Sequence, residues 1–227
     1  MATLVGGQAQ DVALCPSTSY SVSLVSRSIP LSGRRNCVLV TANQMASNVM
    51  PWQRAATEAG GRLIVIPRPA DWDWARSIIR FLRSREGAQI GCVALPNVHW
   101  CDGSFVDLAA VGKCCRALRV PLVCDLTQSL GALPFSVAEV QPAMVMASVH
   151  KWLLGPYGFS LLWVAPEWQE RTQPLEEHER RRLGADSPAW DDLGAMGRDG
   201  YPTEFMPGAS KFDGGGRTNP ITLPMLA

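Results

Sequence analysis

Short apolar runs alternate with longer mixed segments from residue 11 to residue 165. In an α/β protein, buried parallel strands read as short apolar runs, and the crossover helices between them read as longer amphipathic segments. The alternation therefore predicts an α/β fold with a mainly parallel central sheet flanked by helices. The predicted strands are residues 12–15, 37–41, 63–66, 90–95, 122–124, 144–147 and 159–164, and the predicted helices are residues 18–27, 48–58, 73–85 and 107–118.

Length and charge narrow the class of protein further. A chain of 227 residues with 47% hydrophobic residues can bury a sizeable core, and 21 Lys plus Arg balance 20 Asp plus Glu. The balance lacks the basic excess of a nucleic-acid-binding protein, so we expect no nucleic acid partner. No apolar run approaches the roughly 18 residues of a membrane helix, and the N-terminus lacks the pattern of a secretory signal. We therefore expect a protein without a membrane anchor.

The cysteines indicate the redox compartment. Seven cysteines are scattered along the chain, and no two of them form a C-x-x-C pair. An odd number without metal-ligand spacing favours buried free thiols over disulfides or a zinc site. We therefore expect no bound metal and a reducing, cytoplasmic location.

The character of the chain changes after residue 168. Residues 170–182 are dense in Glu and Arg, and residues 184–220 are rich in Gly, Pro and Asp. These compositions predict a surface helix followed by a long meander that packs against something outside this chain. The sequence thus divides into an α/β domain at residues 1–168 and a charged helix with a Gly- and Pro-rich meander at residues 169–227.

Two predicted strands end in polar residues that suit cofactor chemistry. Asp125 and Gln128 follow one strand in L-V-C-D-L-T-Q-S-L-G, and Ser148, His150 and Lys151 follow the other in A-S-V-H-K-W-L-L-G-P. Ligands of open α/β sheets bind at the carboxyl ends of the strands. An acid, an amide and an amine at one edge suit pyridoxal 5'-phosphate (PLP), which has a basic ring nitrogen, a ring oxygen and an aldehyde. Taken singly, Lys151 reads as a surface lysine; it is the context of Asp125 and Gln128 that favours the cofactor.

The chain resembles the class V aminotransferases, fold type I PLP enzymes that include cysteine desulfurases, kynureninases and isopenicillin-N epimerase-like proteins. The D-x-x-Q motif, followed by S-x-H-K with Lys151 placed 26 positions after Asp125, is the most specific signal. Weaker matching motifs cover nearly the whole chain: S-T-S-Y (17–20), S-N-V-M-P-W (47–52), V-H-W-C-D-G (98–103), H-K-W-L-L-G-P-Y-G (150–158), P-L-E-E (174–177) and G-A-S-K-F-D-G-G-G-R-T-N-P (208–220).

The resemblance implies a role for each site residue. Lys151 would form the Schiff base with PLP and carry the Cα proton of the substrate, and Asp125 would pair with the pyridine nitrogen. Gln128 would contact the ring hydroxyl, and Trp100 would lie near the cofactor. The residues expected at the phosphate are Thr18, Ser19, Ser148 and His150, with Arg217 and Thr218 reaching the phosphate of a neighbouring subunit in a homodimer.

Other readings stay open. Without the context of Lys151, the S-T-S turn is typical of an ordinary helix N-cap, and Trp100 is typical of a residue that fills the core. Family members carry a C-terminal small domain that supplies an arginine for the substrate carboxylate, and this chain ends at Ala227, where that domain should begin. The leading hypothesis is a PLP-dependent enzyme acting on an amino acid or related amine. The alternatives are a catalytically incomplete fragment or remnant kept as a binding or interaction module, and an unrelated nucleotide-binding protein, which the lack of an early Gly-rich loop disfavours.

Overall fold

The computed structural model describes residues 1–184, 203–214, 221 and 223–226 of the chain. In this part of the chain, seven strands form one mixed sheet in the order β1-β7-β6-β5-β4-β2-β3. The strands β3, β2, β4, β5 and β6 are parallel, whereas β7 runs antiparallel to both β6 and β1. The strands are β1 (Val12–Cys15), β2 (Cys37–Thr41), β3 (Leu63–Ile66), β4 (Ile90–Pro96), β5 (Leu122–Asp125), β6 (Met144–Ser148) and β7 (Ser160–Val164).

Helices cover both faces of the sheet and divide the core into two clusters. Ile78 and Val111, on two helices of one face, are buried against that side of the sheet, and Val22 and Trp52 are buried against the other. Each helix therefore turns one apolar stripe towards the strands. The helices are α1 (Ala2–Val5), α2 (Thr18–Ser28), α3 (Met50–Glu58), α4 (Trp74–Leu82), α5 (Leu108–Leu118), α6 (Val137–Val140) and α7 (Pro166–Gln169).

Side-chain caps fix where the long helices begin. Ser17 accepts a hydrogen bond from the backbone N–H of Tyr20 at 3.1 Å and starts α2. Asp73 and Asp107 cap α4 and α5 in the same way. Such caps satisfy N–H groups that have no partner within the helix.

The predicted α/β fold with a mainly parallel sheet is confirmed. All seven predicted strands are present within one residue of their expected ends, and the four predicted helices are present with ends shifted by up to three residues. All seven cysteines are free; six of them are buried as expected, and Cys101 is exposed. No helix in the described ranges is long and apolar enough to cross a membrane.

The expected surface helix over residues 170–182 is wrong. The structure has only the short helix α7 before this segment and one 3-10 turn at Glu179–Arg181 within it. The backbone bonds instead with a distant segment, because Leu183 N–H donates to Glu204 O at 2.9 Å and Met206 N–H to Arg181 O at 2.7 Å.

Part of the predicted meander packs on other residues of the same chain, whereas we expected it to pack against something outside this chain. Ala209 and Phe212 are buried in the core cluster on the α2 side of the sheet. Asp213 Oδ1 accepts a hydrogen bond from Leu14 N–H at 2.7 Å, and Gly214 N–H donates to Leu14 O at 3.0 Å. This segment therefore covers the open edge of β1. The division of the chain at residue 168 stays a prediction.

Candidate active site

One cavity of about 280 Å³ lies where the carboxyl ends of β2, β4, β5 and β6 meet the start of α2. All eight predicted site residues in the described ranges line it: Thr18, Ser19, Trp100, Asp125, Gln128, Ser148, His150 and Lys151. Arg217 and Thr218 lie outside the described residues.

Hydroxyl groups gather at the α2 side of the cavity. Thr18 Oγ1 and Ser148 Oγ lie 2.5 Å apart, and Thr127 Oγ1 accepts a hydrogen bond from the Ser148 backbone N–H at 3.1 Å. Ser19 lines the cavity beside them. The N-terminus of a helix favours an anion, and hydroxyl groups can donate to one. This side of the cavity therefore suits a phosphate or another anionic group.

Asp125 stands at the end of β5 with its carboxylate in the cavity wall. Its Oδ1 accepts the backbone N–H of Thr127 at 2.9 Å. Burial raises the pKa of Asp125, and the hydrogen bond from Thr127 and the positive charge of Lys151 oppose that rise. The acid thus lies within the electrostatic reach of the amine, and it can bind a protonated ring nitrogen through a charge-assisted hydrogen bond.

The turn that carries Lys151 is tightly folded. Leu154 N–H donates to Lys151 O at 3.1 Å, and Gly155 N–H donates to Val149 O at 2.9 Å. His150 stacks on Tyr157, with ring centroids 4.1 Å apart. These contacts fix the residues before and after Lys151 in the chain, so the Lys151 side chain extends from a turn of defined conformation.

The two sequence motifs of the site touch through a glycine. Gly131, at the end of the Asp125 motif, has φ +97°, and a Cβ there would lie 2.6 Å from the Trp152 carbonyl oxygen. Only glycine adopts this backbone conformation freely and leaves room for so close an approach. Gly131 therefore lets the Lys151 turn rest directly on the loop that follows Asp125.

Some cavity residues were not among the predicted site residues. Gln44, Met45 and Ser47 follow β2 and line the cavity, and Thr127 lies between two predicted residues. The rule that ligands bind at carboxyl ends of strands applies to β2 as well, and it would have pointed to residues 42–47. Ser47 begins the S-N-V-M-P-W motif that contributes to the resemblance, whereas no charged residue marks residues 42–47.

Comparison with known proteins places the chain in a family. The family model for aminotransferase class-V matches residues 1–184. A probable cysteine desulfurase of Aeropyrum pernix is 28% identical over 180 residues, which cover 77% of this chain and 42% of that protein. The chain spans less than half the length of the curated relatives that it matches over most of its own length.

Solved structures share the fold. The cysteine desulfurase CsdA of Escherichia coli aligns with a TM-score of 0.81 at 17% identity, covering 99% of this chain and 53% of that one. A mutant of C-DES with glycine covalently linked to its PLP cofactor aligns with a TM-score of 0.77 at 19% identity, covering 93% of this chain and 52% of that one. The family model and the common fold agree with the resemblance in the motifs, and the chain belongs to the aminotransferase class-V family.

Proposed function

We propose that this chain forms the cofactor-binding part of a PLP-dependent enzyme that acts on an amino acid or a related amine. The observation that carries the proposal is that Asp125, Gln128 and Lys151 line one cavity together with a cluster of hydroxyl groups. Membership of the family and the PLP in C-DES support it.

The residues of the cavity fit the chemical groups of PLP. The hydroxyls of Thr18, Ser19 and Ser148, beside a helix N-terminus, match a phosphate, and the Asp125 carboxylate matches a pyridine nitrogen. The Lys151 amine matches an aldehyde. PLP, when bound, supplies an aldehyde that condenses with a primary amine and loses one water, and a ring that delocalises the electron pair of a broken Cα bond.

Each side chain then has one task. Lys151 Nζ would hold the cofactor through its aldehyde and would accept or return the proton of the substrate Cα. Asp125 keeps the ring nitrogen protonated, and the Gln128 amide donates to the ring oxygen. His150 and Trp100 line the same cavity. His150 would join the hydroxyls at the phosphate, and Trp100 would lie near the cofactor.

The proposal extends to partners and location. Arg217 and Thr218 are proposed to reach the phosphate bound by a second copy of the chain, so the working unit is a homodimer. The free thiols support a reducing, cytoplasmic location. The substrate is an amino acid or related amine, as cysteine is for the desulfurases among the relatives.

One observation favours a second candidate function, a cofactor-binding module without turnover. The described residues that line the cavity include no arginine, although the guanidinium group is the side chain best suited to hold a substrate carboxylate at two points. A substrate held at one end only would lose several orders of magnitude in rate through poor orientation.

Borohydride trapping tests the leading proposal. The purified chain is mixed with PLP, reduced with borohydride and digested, and the pyridoxyl group is expected on the peptide that contains Lys151. Lys151→Ala should abolish the labelling, whereas Lys113→Ala, at an exposed position of α5, should not change it. Labelling of another lysine, or of none, would refute the assignment. A panel of amino acids then separates the two candidates, since only the enzyme releases product.

A further inference from the structure

His99 joins two loops that follow neighbouring strands of the sheet. It lies in the loop after β4, and its Nε2 is 2.9 Å from the backbone oxygen of Ala42, the first residue after β2. A carbonyl oxygen can only accept, so the proton is on Nε2 and His99 is the donor. The His99 side chain is fully buried, so water does not compete for this hydrogen bond.

Two further neighbours fix the His99 ring. The ring stacks on Trp74, with centroids 5.5 Å apart and an angle of 8° between the planes. Asp102 Oδ2 lies 3.5 Å from His99 Nδ1 and forms an ion pair with Arg68. Burial raises the pKa of Asp102, but the hydrogen bonds from Ser104 and the attraction of His99 and Arg68 outweigh it, so the pKa lies below its ordinary value. The ring thus has a neighbour on one face and at both nitrogens.

Trp100, the next residue along the chain, forms the same kind of link one carbonyl further on. Its Nε1 donates to Asn43 O at 2.7 Å. Asn43 has φ +54°, a left-handed backbone conformation that is uncommon outside glycine. His99 and Trp100 therefore bond to consecutive carbonyl oxygens, and together they hold a turn of unusual conformation.

Both of these loops contribute to the wall of the candidate active site. Val98 and Trp100, on either side of His99, line the cavity. Met45 and Ser47 line it from the segment after β2. Loops are usually the more mobile parts of a fold, and binding groups keep their geometry only when residues behind them support it. The position of this wall therefore depends on the hydrogen bonds behind it.

We propose that His99 is a positioning residue of this cavity, which holds Trp100 and residues 42–47 in the geometry that binds the cofactor. The proposal rests on the proposed function. Because its side chain is buried, His99 acts through these neighbours rather than by contact with the bound molecule. Loss of the hydrogen bond to Ala42 should therefore loosen the wall and weaken PLP binding.

Two variants separate the hydrogen bond from the ring. His99→Phe keeps a ring on Trp74 but removes the donor to Ala42 O, whereas His99→Gln keeps an N–H donor of similar reach and removes the ring. Ile78→Val, which removes one buried methyl group from α4, is the control for lost stability. The PLP Kd is measured by absorbance titration at a temperature where every variant is folded, because a loss of global stability then leaves the Kd unchanged.

His99→Phe should raise the PLP Kd about three- to tenfold, which is the effect of one hydrogen bond. His99→Gln should recover most of that loss, and Ile78→Val should lower the thermal midpoint without changing the Kd. An unchanged Kd in His99→Phe, or an equal rise in His99→Gln or Ile78→Val, would overturn the proposal. A parent chain that does not bind PLP would instead contradict the proposed function itself.

A measurement on the parent chain tests the hydrogen bond even if His99→Phe does not fold. The chain has three histidines, so His150→Gln and His178→Gln assign the ring signals of His99 in NMR spectra by elimination. The Nε2–H of His99 should exchange slowly with solvent, because it is buried and hydrogen-bonded. A His99 ring with its proton on Nδ1 alone, or rapid exchange of the Nε2–H, would overturn the proposal.

Discussion

Thr18 Oγ1 and Ser148 Oγ lie 2.5 Å apart, although 130 residues separate them in the chain. The contact joins the first turn of α2 to the last residue of β6. Only one of the two hydroxyl protons can lie between the oxygens, so the other is free to donate to a ligand. We therefore predict that the pair acts as one unit in the proposed anion binding.

We expect Thr18→Val and Ser148→Ala to weaken PLP binding non-additively. Each loses about one hydrogen bond of 0.5–1.5 kcal/mol, which raises the Kd roughly three- to tenfold. In the double variant the Kd should rise by less than the product of the single effects, because each single change already disrupts the shared bond. Absorbance titration measures all four Kd values, with Thr57→Val, at an exposed position of α3, as the control. Independent, fully multiplicative effects would contradict the shared unit.

Asp125→Asn should stabilise the cofactor-free chain while weakening PLP binding. Burial raises the pKa of Asp125 in the fold, so the folded state loses this proton at a higher pH than the unfolded chain. The carboxyl group thus becomes destabilising as the pH rises through this window and stays so above it. Asn keeps an oxygen for the Thr127 N–H but carries no charge. At pH 7 we expect a higher thermal midpoint, and each 1 kcal/mol gained would raise it by about 2–4 °C for a chain of this size.

Thermal unfolding at two pH values checks the origin of that effect. The difference in thermal midpoint between Asp125→Asn and the parent chain should shrink towards pH 3, where Asp125 is protonated in both the folded and the unfolded state. A less stable variant at pH 7 would mean that the attraction between Asp125 and Lys151 outweighs the burial of the carboxylate.

Gly131→Ala should damage both the fold and the site. Its Cβ would meet the Trp152 carbonyl oxygen at 2.6 Å, in addition to the strain of a positive φ. Gly103→Ala is the matched control, because Gly103 has φ +71° and no atom within 4 Å of a Cβ. We expect about 1–2 kcal/mol from strain alone at Gly103, and a larger loss at Gly131 together with slower borohydride labelling of Lys151. If Gly131→Ala and Gly103→Ala lower the free energy of unfolding equally in denaturant titrations, the close approach to the Trp152 carbonyl oxygen does not contribute to the effect at Gly131.

One thiol should react quickly in the folded chain. Cys101 is exposed, with its Sγ 3.5 Å from Asn43 O, and the other six cysteines are buried. Burial raises the pKa of Cys15 and of Cys115 to about 12 each, so their thiols stay protonated and unreactive at neutral pH. A colorimetric disulfide reagent should titrate one fast equivalent, and Cys101→Ser should remove it. Several fast thiols in the native chain would contradict this burial.

The sequence predicts those site residues that directly follow a recognisable apolar strand. Asp125 and Lys151 follow short apolar strands, and the rule that ligands bind at the carboxyl ends of strands predicts that they share one edge of the sheet, where both line the cavity. Thr127 also lines the cavity, but nothing in its place in the sequence distinguishes it. Its contact with the backbone N–H of Ser148, 21 positions away, is visible only in three dimensions.

The charged segment after α7 shows why local composition misled. Glu and Arg have good helix propensity, yet Pro174 interrupts the stretch, and tertiary partners decide the outcome. Arg182 bonds Glu177 and the backbone oxygen of Thr203, and its guanidinium lies 3.7 Å from the centre of the Phe205 ring. Residues 203–205 are too distant in the chain for a local window to include them.

The hydrogen bond between Leu14 and Asp213 spans 199 residues. The strand partner of β1 is β7, which also lies far from it along the chain. Contacts of such long range slow folding because a large loop must close before they form. The turn at residues 17–19 directly follows β1, so we expect it to reach its final position only when these long-range contacts have formed.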